Sequence, residues 1–319
     1  MITRVVVLDD YQQVALTSAD WSPVAGTEVR VLTEHLPTPD AVVAALADAD
    51  VVVAMRERTA FPAAVLDRLP RLRLLVTTGM RNASIDIAAA NRLGVTVCGT
   101  HGSGAGTGEL AWGLLIALCH DLPAQTASVA RGGWQVGVGR ELRGSTLGIL
   151  GLGTIGRQVA GYATAFGMRV VAWSQHMTAE QAAAAGAEYV SKADLFERSD
   201  AVTVHLTLSA RTTGLIGAAE LALLGPRGYL VNTSRGPIVD EPALIAALAD
   251  HTIAGAALDT FDVEPLPPDS PLRTMPGLIT TPHVGYVSEQ SYAVYFREVV
   301  ENVSAWLAGR PMRVLAPAS

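Results

Sequence analysis

The chain has 319 residues, half of them apolar, and a formal net charge of −7. That length allows a large core and points to two domains. With no long basic run, it lacks the electrostatic footprint of a nucleic-acid or membrane-surface binder, so neither partner is expected. The opening MITRVVVLDDYQ reaches acidic residues after one short apolar run, and the longest apolar stretch, residues 110–118, is far too short to cross a bilayer. A cytoplasmic protein is expected. Cys98 and Cys119 are the only cysteines, without a CxxC pair or a zinc-like histidine spacing, so each reads as a small buried apolar residue and no metal is expected. Lys192 is the only lysine, which leaves almost no candidate for a Schiff base or a P-loop.

In chain order, runs rich in valine, isoleucine and leucine at 5–8, 29–32, 51–54, 72–76 and 95–97 alternate with alanine-rich stretches of helical spacing. This is the pattern of βαβ units around a parallel sheet. Residues 102–119 then predict one long helix, entered through the glycine-rich GTHGSGAGTGE. The strand rhythm restarts at 147–150, 168–173, 201–206, 229–232, 253–258 and 278–281, enough for a second and larger doubly wound sheet. A last helix, 289–307, follows the completed second sheet and is expected to pack back on the first domain. No repeat or low-complexity linker interrupts the pattern. The fold class that follows is α/β with two doubly wound parallel-sheet domains.

The stretch LGILGLGTIGRQVA, residues 147–160, places Gly151, Gly153 and Gly156 between a strand and a helix, with another strand at βαβ spacing behind. Gly151 ends the strand, Gly153 leaves room for backbone to approach a pyrophosphate, and Gly156 lets the helix lie close to the sheet. A dinucleotide is therefore expected. The acid that normally accepts the adenosine ribose hydroxyls in NAD sites is missing: the strand ends in Ser174, Gln175 and His176, and the first acid after the loop is Glu180. No arginine stands beside Ser174 in sequence to attract a 2′-phosphate, so NAD against NADP stays open, with His176 either a weak phosphate partner or a solvated loop residue.

Three later stretches, VNTSRGPIVDE, ALDTFDVEP and TPHVGY, sit where doubly wound sheets place ligands and offer Arg235, Glu264 and His283. Oxidising a 2-hydroxy acid, or reducing a 2-oxo acid, moves a hydride to or from a nicotinamide and a proton to or from the substrate oxygen. Histidine suits the proton step. A carboxylate on its other ring nitrogen fixes the tautomer and favours the imidazolium, and arginine's planar fork binds a substrate carboxylate in two places.

These four signatures, in this order, resemble the D-isomer-specific 2-hydroxyacid dehydrogenase family, as do LRGSTLGILGLGTIG, HLTLSARTTGLIG and RNASIDIAAANRLGVTV. The resemblance implies that Arg235 binds substrate, His283 is the acid/base and Glu264 pairs with it. It implies a flavodoxin-like substrate domain, 1–98 plus 286–319, and a Rossmann cofactor domain, 99–285, which close by hinge motion and form a homodimer. It also implies cofactor contacts from Gly151, Gly153, Thr154, Ile155, Gly156, Ser174, Thr233 and Ser234. His205 and Thr207 would border the adenine, with a structural role for His205 as the alternative. Asp259 would reach the nicotinamide amide, with helix capping as the alternative, and Thr107 would face the ring.

The sequence departs from the family in TTGMRNASID. Gly79 matches and, with Met80, would offer backbone N–H groups to the substrate carboxylate, but Arg81 replaces a second glycine and Ala83 a common aspartate. Arg81, with Arg56 and Arg58, could line the cleft and read a distal anion on the substrate. The alternative is that these arginines are solvated or paired with Glu57 and Asp86. The expected function is an NAD(P)-dependent oxidoreductase acting on a small D-2-hydroxy or 2-oxo acid. A catalytically weak NAD(H)-sensing binding protein of the same fold is the alternative, and a methyltransferase leaves three of the four motifs without a role.

Overall fold

The computed structural model describes residues 2–317. They form two compact units, one made of the chain up to Ser103 together with the segment from Val287, the other of Gly104–Tyr286.

The first unit holds five parallel strands: β1 (Arg4–Val7), β2 (Glu28–Val31), β3 (Val51–Ala54), β4 (Leu74–Thr77) and β5 (Thr96–Cys98), in the order β2-β1-β3-β4-β5. This is the flavodoxin-like order, with its topological switch beside β1. Strands β3 and β4 are buried along their whole length, which is why VVVA and LLVT read as unbroken apolar runs: helices cover both faces of the sheet. Edge strand β2 alternates exposed and half-buried residues instead. The helix Glu289–Leu307 belongs to this unit, as its position after the second sheet predicts, and buries Tyr292, Phe296, Val299 and Val303 at helical spacing.

The second unit holds seven parallel strands: β6 (Thr146–Leu150), β7 (Arg169–Trp173), β8 (Glu188–Tyr189), β9 (Ala201–Val204), β10 (Tyr229–Asn232), β11 (Gly255–Leu258) and β12 (Leu278–Thr280). Their order is β12-β11-β10-β9-β6-β7-β8. The chain reverses direction of growth between β6 and β9, and that switch opens a crevice at the carboxyl ends of the strands. The sequence reading lacks β8, whose two residues are too few to show a period.

One expected element is shorter than its sequence pattern. The helix predicted from residue 102 begins at Gly106, because Gly104 takes φ +74°, a left-handed conformation that no helix accommodates. Cys98 and Cys119 are free and buried, and burial pushes both thiols up to about 11. Among the described residues no helix is long and apolar enough to cross a membrane.

Candidate active site

The glycine loop follows β6 directly. Gly151 has φ +95°, and a Cβ there would stand 2.7 Å from the His205 carbonyl oxygen. A Cβ on Gly156 would fall 2.1 Å from the Gly151 carbonyl oxygen, so the helix Thr154–Ala165 can start this close to its own strand only with glycine at that position. Gly153, the residue before the helix, faces open space. The loop is thus a tight cradle with one uncovered side, which suits a pyrophosphate above the helix N-terminus. Two side-chain atoms near this edge, His205 Nε2 and Thr233 Oγ1, are buried without a hydrogen-bond partner among the described residues. Such orphans are uncommon in folded chains and are natural partners for a bound polar group. Burial pushes the His205 imidazole down to about 4, so it stands neutral near pH 7.

Arg235, Glu264 and His283 lie on the loops that follow β10, β11 and β12, three neighbouring strands. His283 Nδ1 is 2.6 Å from Glu264 Oε2. The carboxylate accepts, so Nδ1 carries the hydrogen and Nε2 is the nitrogen left to exchange a proton. Glu264 is itself fixed through Oε1, which accepts the Phe261 N–H at 2.9 Å. The Tyr286 ring meets the imidazole edge-on at 5.3 Å between centroids. His283 has φ +52°, a left-handed backbone that costs energy for a residue with a Cβ and is held by its surroundings.

Those surroundings are built on Asp259, which is fully buried immediately after β11. Its Oδ1 accepts the Thr281 hydroxyl at 2.6 Å and the Val284 N–H at 2.8 Å, and its Oδ2 accepts the Gly285 N–H at 2.9 Å. Burial still pushes its carboxyl above the usual carboxylate range, against the pull of these bonds. Thr107, from the helix Gly106–Cys119, donates its hydroxyl to the Gly285 carbonyl at 3.0 Å. The histidine loop is therefore clamped from two elements. On the neighbouring loop Asn232 donates Nδ2–H to the Arg235 carbonyl at 2.9 Å and accepts the Ser234 N–H at 3.0 Å. A Cβ on Gly236 would fall 2.1 Å from the Phe261 carbonyl carbon, so the arginine loop and the glutamate loop touch through a bare backbone.

In the first unit, Gly79 has φ +109° and its N–H donates to Thr100 Oγ1 at 3.1 Å. Arg56, also at positive φ (+52°), lies across this turn: Nη1 donates to the Thr78 carbonyl at 3.3 Å and would be 1.8 Å from a Cβ on Gly79. Its Nε is 3.6 Å from Glu57 Oε2, the pairing named above as the alternative. Asp86 is used differently, as the cap of the helix Ile87–Arg92, and accepts the Ala89 N–H at 2.8 Å. Arg58 donates to the Asp9 carbonyl at 2.6 Å and stacks over Tyr11 at 4.4 Å. Met80 and Arg81 are exposed.

Residues 112–285 match the family model for the NAD binding domain of the D-isomer specific 2-hydroxyacid dehydrogenases. The chain belongs to that family. It is 38% identical over 256 residues to a glyoxylate reductase of Aeropyrum pernix, covering 77% of this chain and 76% of that protein. It is 36% identical over 266 residues to the D-3-phosphoglycerate dehydrogenase of Methanocaldococcus jannaschii, covering 82% of this chain and 50% of that one, so it spans about half the length of this relative. A crystal structure of a phosphoglycerate oxidoreductase from Vibrio cholerae superposes with a TM-score of 0.92 at 32% identity, covering 97% of this chain and all of the other.

Within this dehydrogenase family member, sequence reasoning missed Asn232, Gly236 and Thr281, which hold the reactive loops in place. The signals were present in NTSRG and TTPH, where an asparagine, a glycine and a threonine flank the charged residues, but their partners lie on other loops. It also missed Arg157. The cleft beside the glycine loop is walled by Arg157, Ser174, His176, His205 and Thr207, with Gly151 and Gly153 at its floor.

Proposed function

We propose that this chain transfers a hydride between a nicotinamide dinucleotide and a small D-2-hydroxy or 2-oxo acid, with reduction of the oxo acid favoured near neutral pH. The nicotinamide supplies or accepts the hydride when bound. The His283–Glu264 pair, joined at 2.6 Å, carries the reading: a carboxylate on Nδ1 fixes the ring orientation and aims Nε2 outward to exchange a proton with the substrate oxygen. Arg235 binds the substrate carboxylate and polarises its carbonyl. Gly151, Gly153, Thr154, Ile155 and Gly156 hold the pyrophosphate, and His205, Thr207, Thr233 and Ser234 complete the dinucleotide site. Asp259, fully buried with both carboxylate oxygens engaged, positions the His283 loop rather than reaching the nicotinamide itself.

Substrate choice is assigned to the first unit. The Gly79 N–H, expected to face the carboxylate, is instead donated to Thr100 Oγ1, which leaves the Met80 N–H for that role, and Arg56 and Arg81 read a distal anion; two relatives, named for glyoxylate and for 3-phosphoglycerate, span substrates without and with such a group. We also infer a homodimer. Val129 and Trp134 of the second unit, 58% and 74% exposed, line one apolar concavity, a surface of the kind an interface covers.

The test is a panel of 2-oxo acids with NADH or NADPH, followed by absorbance of the reduced nicotinamide, on the unsubstituted chain and on His283→Ala. Turnover that the substitution abolishes while dinucleotide binding persists supports the reading. Tight dinucleotide binding with no turnover on a broad panel replaces it with a nucleotide-sensing protein.

A further inference from the structure

We propose that the cleft beside the glycine loop recognises a 2′-phosphorylated adenosine, making NADP(H) the cofactor, with Arg157, Ser174 and His176 holding the phosphate. This rests on the dehydrogenase reading and concerns only the adenosine end of its dinucleotide. The cleft encloses about 320 Å³. Its wall joins residues that sequence keeps apart: Arg157 from the first turn of the helix Thr154–Ala165, Ser174 directly after β7, and His176 next to it.

The position after β7 is where NAD sites place the carboxylate that accepts the ribose hydroxyls. A carboxylate there repels a phosphate; Ser174 instead brings a hydroxyl that can donate to one. None of the residues lining the cleft is acidic. Glu180, the first acid downstream, has its carboxylate engaged by the Thr178 hydroxyl and is not part of the wall. Gln181 is on the wall, but its Oε1 already accepts the Thr178 N–H at 3.0 Å, so the acceptor end of that side chain is used. His205 is neutral and adds no charge. The fixed charge is that of Arg157, whose Nε donates to the Leu152 carbonyl at 3.1 Å. That bond anchors the guanidinium at the mouth of the glycine loop and spends one of its five N–H donors. A guanidinium without an acidic partner among the described residues, an imidazole and a hydroxyl around one cleft make an anion site where an NAD enzyme would have an anion of its own.

Calorimetric titration of the full chain with 2′,5′-ADP and with 5′-AMP reads the phosphate without turnover, and fluorescence titration with NADP⁺ and NAD⁺ repeats the comparison on the whole cofactor. The 2′-phosphorylated ligand is expected to bind about tenfold tighter or more, the effect of one charge-assisted hydrogen-bonded pair. The ratio of the two affinities, which cancels any partial loss of folded protein, is expected to fall toward one in Arg157→Gln and to invert in Ser174→Asp. Binding of NAD⁺ as tight as that of NADP⁺ overturns this proposal and leaves the dehydrogenase reading standing. Failure of both dinucleotides to bind overturns the two together. A large ratio that survives both substitutions overturns the assignment of the phosphate to these residues.

Discussion

The carboxyl edges of the two sheets are built differently. At the edge of the larger one, Glu264 is fixed through both oxygens, Asp259 receives three hydrogen bonds, and the loops bearing Arg235 and His283 are tied by Asn232 and Thr107. At the edge of the smaller one, the Arg56 backbone is anchored in a similar way, its N–H donating to Thr78 Oγ1 and its carbonyl accepting from Asn82, but Met80 and Arg81 are exposed. A proton transfer tolerates little displacement of the donor, so its groups need several restraints each. Recognition of the variable part of a substrate, the role proposed for Met80 and Arg81, needs charge and shape at an exposed surface rather than several restraints on one atom.

Substitutions sharpen this contrast, and the largest effect belongs to the larger sheet. Glu264→Gln is expected to lower kcat by 10²-fold or more, on the order of a positioned acid–base contribution, since an amide, unlike a carboxylate, can also donate to Nδ1 and no longer fixes which ring nitrogen carries the hydrogen. A kcat within a few-fold of the unsubstituted chain would reduce Glu264 to a structural residue. Gly236→Ala comes next: the new methyl meets the Phe261 backbone at 2.1 Å, so the arginine and glutamate loops must part. Activity should fall roughly 10²-fold, the scale of a 1 Å misplacement, with a lowered Tm by calorimetry. Retained activity would mean that the two loops are not held by this contact.

A third substitution reads burial. The His205 imidazole is pushed down to about 4 in the folded chain against 6.5 in an open one, so between those values the unfolded chain alone takes up the proton. Stability is therefore expected to fall as the pH drops through that window and to level off below it, by at most about 3 kcal/mol. His205→Asn should flatten this limb in urea unfolding at pH 7, 5.5 and 4; an identical slope in both proteins would exclude the buried imidazole as its source. The smallest effect is expected at the other sheet. Arg81→Ala should cut kcat/KM for 2-oxo acids with a distal anion by about tenfold relative to those without, as befits a partly solvated charge pair, and no change in that preference removes Arg81 from specificity.

Much of this was legible in the sequence. Val51–Ala54 and Tyr229–Asn232 have the limits their apolar runs announce, and the helix Glu289–Leu307 occupies the span its periodicity predicts. The pairing of His283 with Glu264 follows from two motifs and elementary acid–base chemistry. Where the reading fell short, the cause was an interaction across loops: Gly104 ended a helical pattern through one left-handed residue, and Asp86, offered as an arginine's partner, was taken by a helix N-terminus.

Periodicity and spacing by themselves determined two parallel α/β sheets, a glycine loop for a dinucleotide, and an arginine, a glutamate and a histidine at strand ends, because buried strands, tight turns and proton transfer each restrict residue type locally. Only the tertiary structure decided which residues support them. Thr107 holds a loop 178 residues away, and Arg157 and Ser174 share a cleft wall with His205 and Thr207 across the switch in strand order. Such contacts depend on which strands become neighbours, a property of the whole sheet that no short stretch of chain encodes.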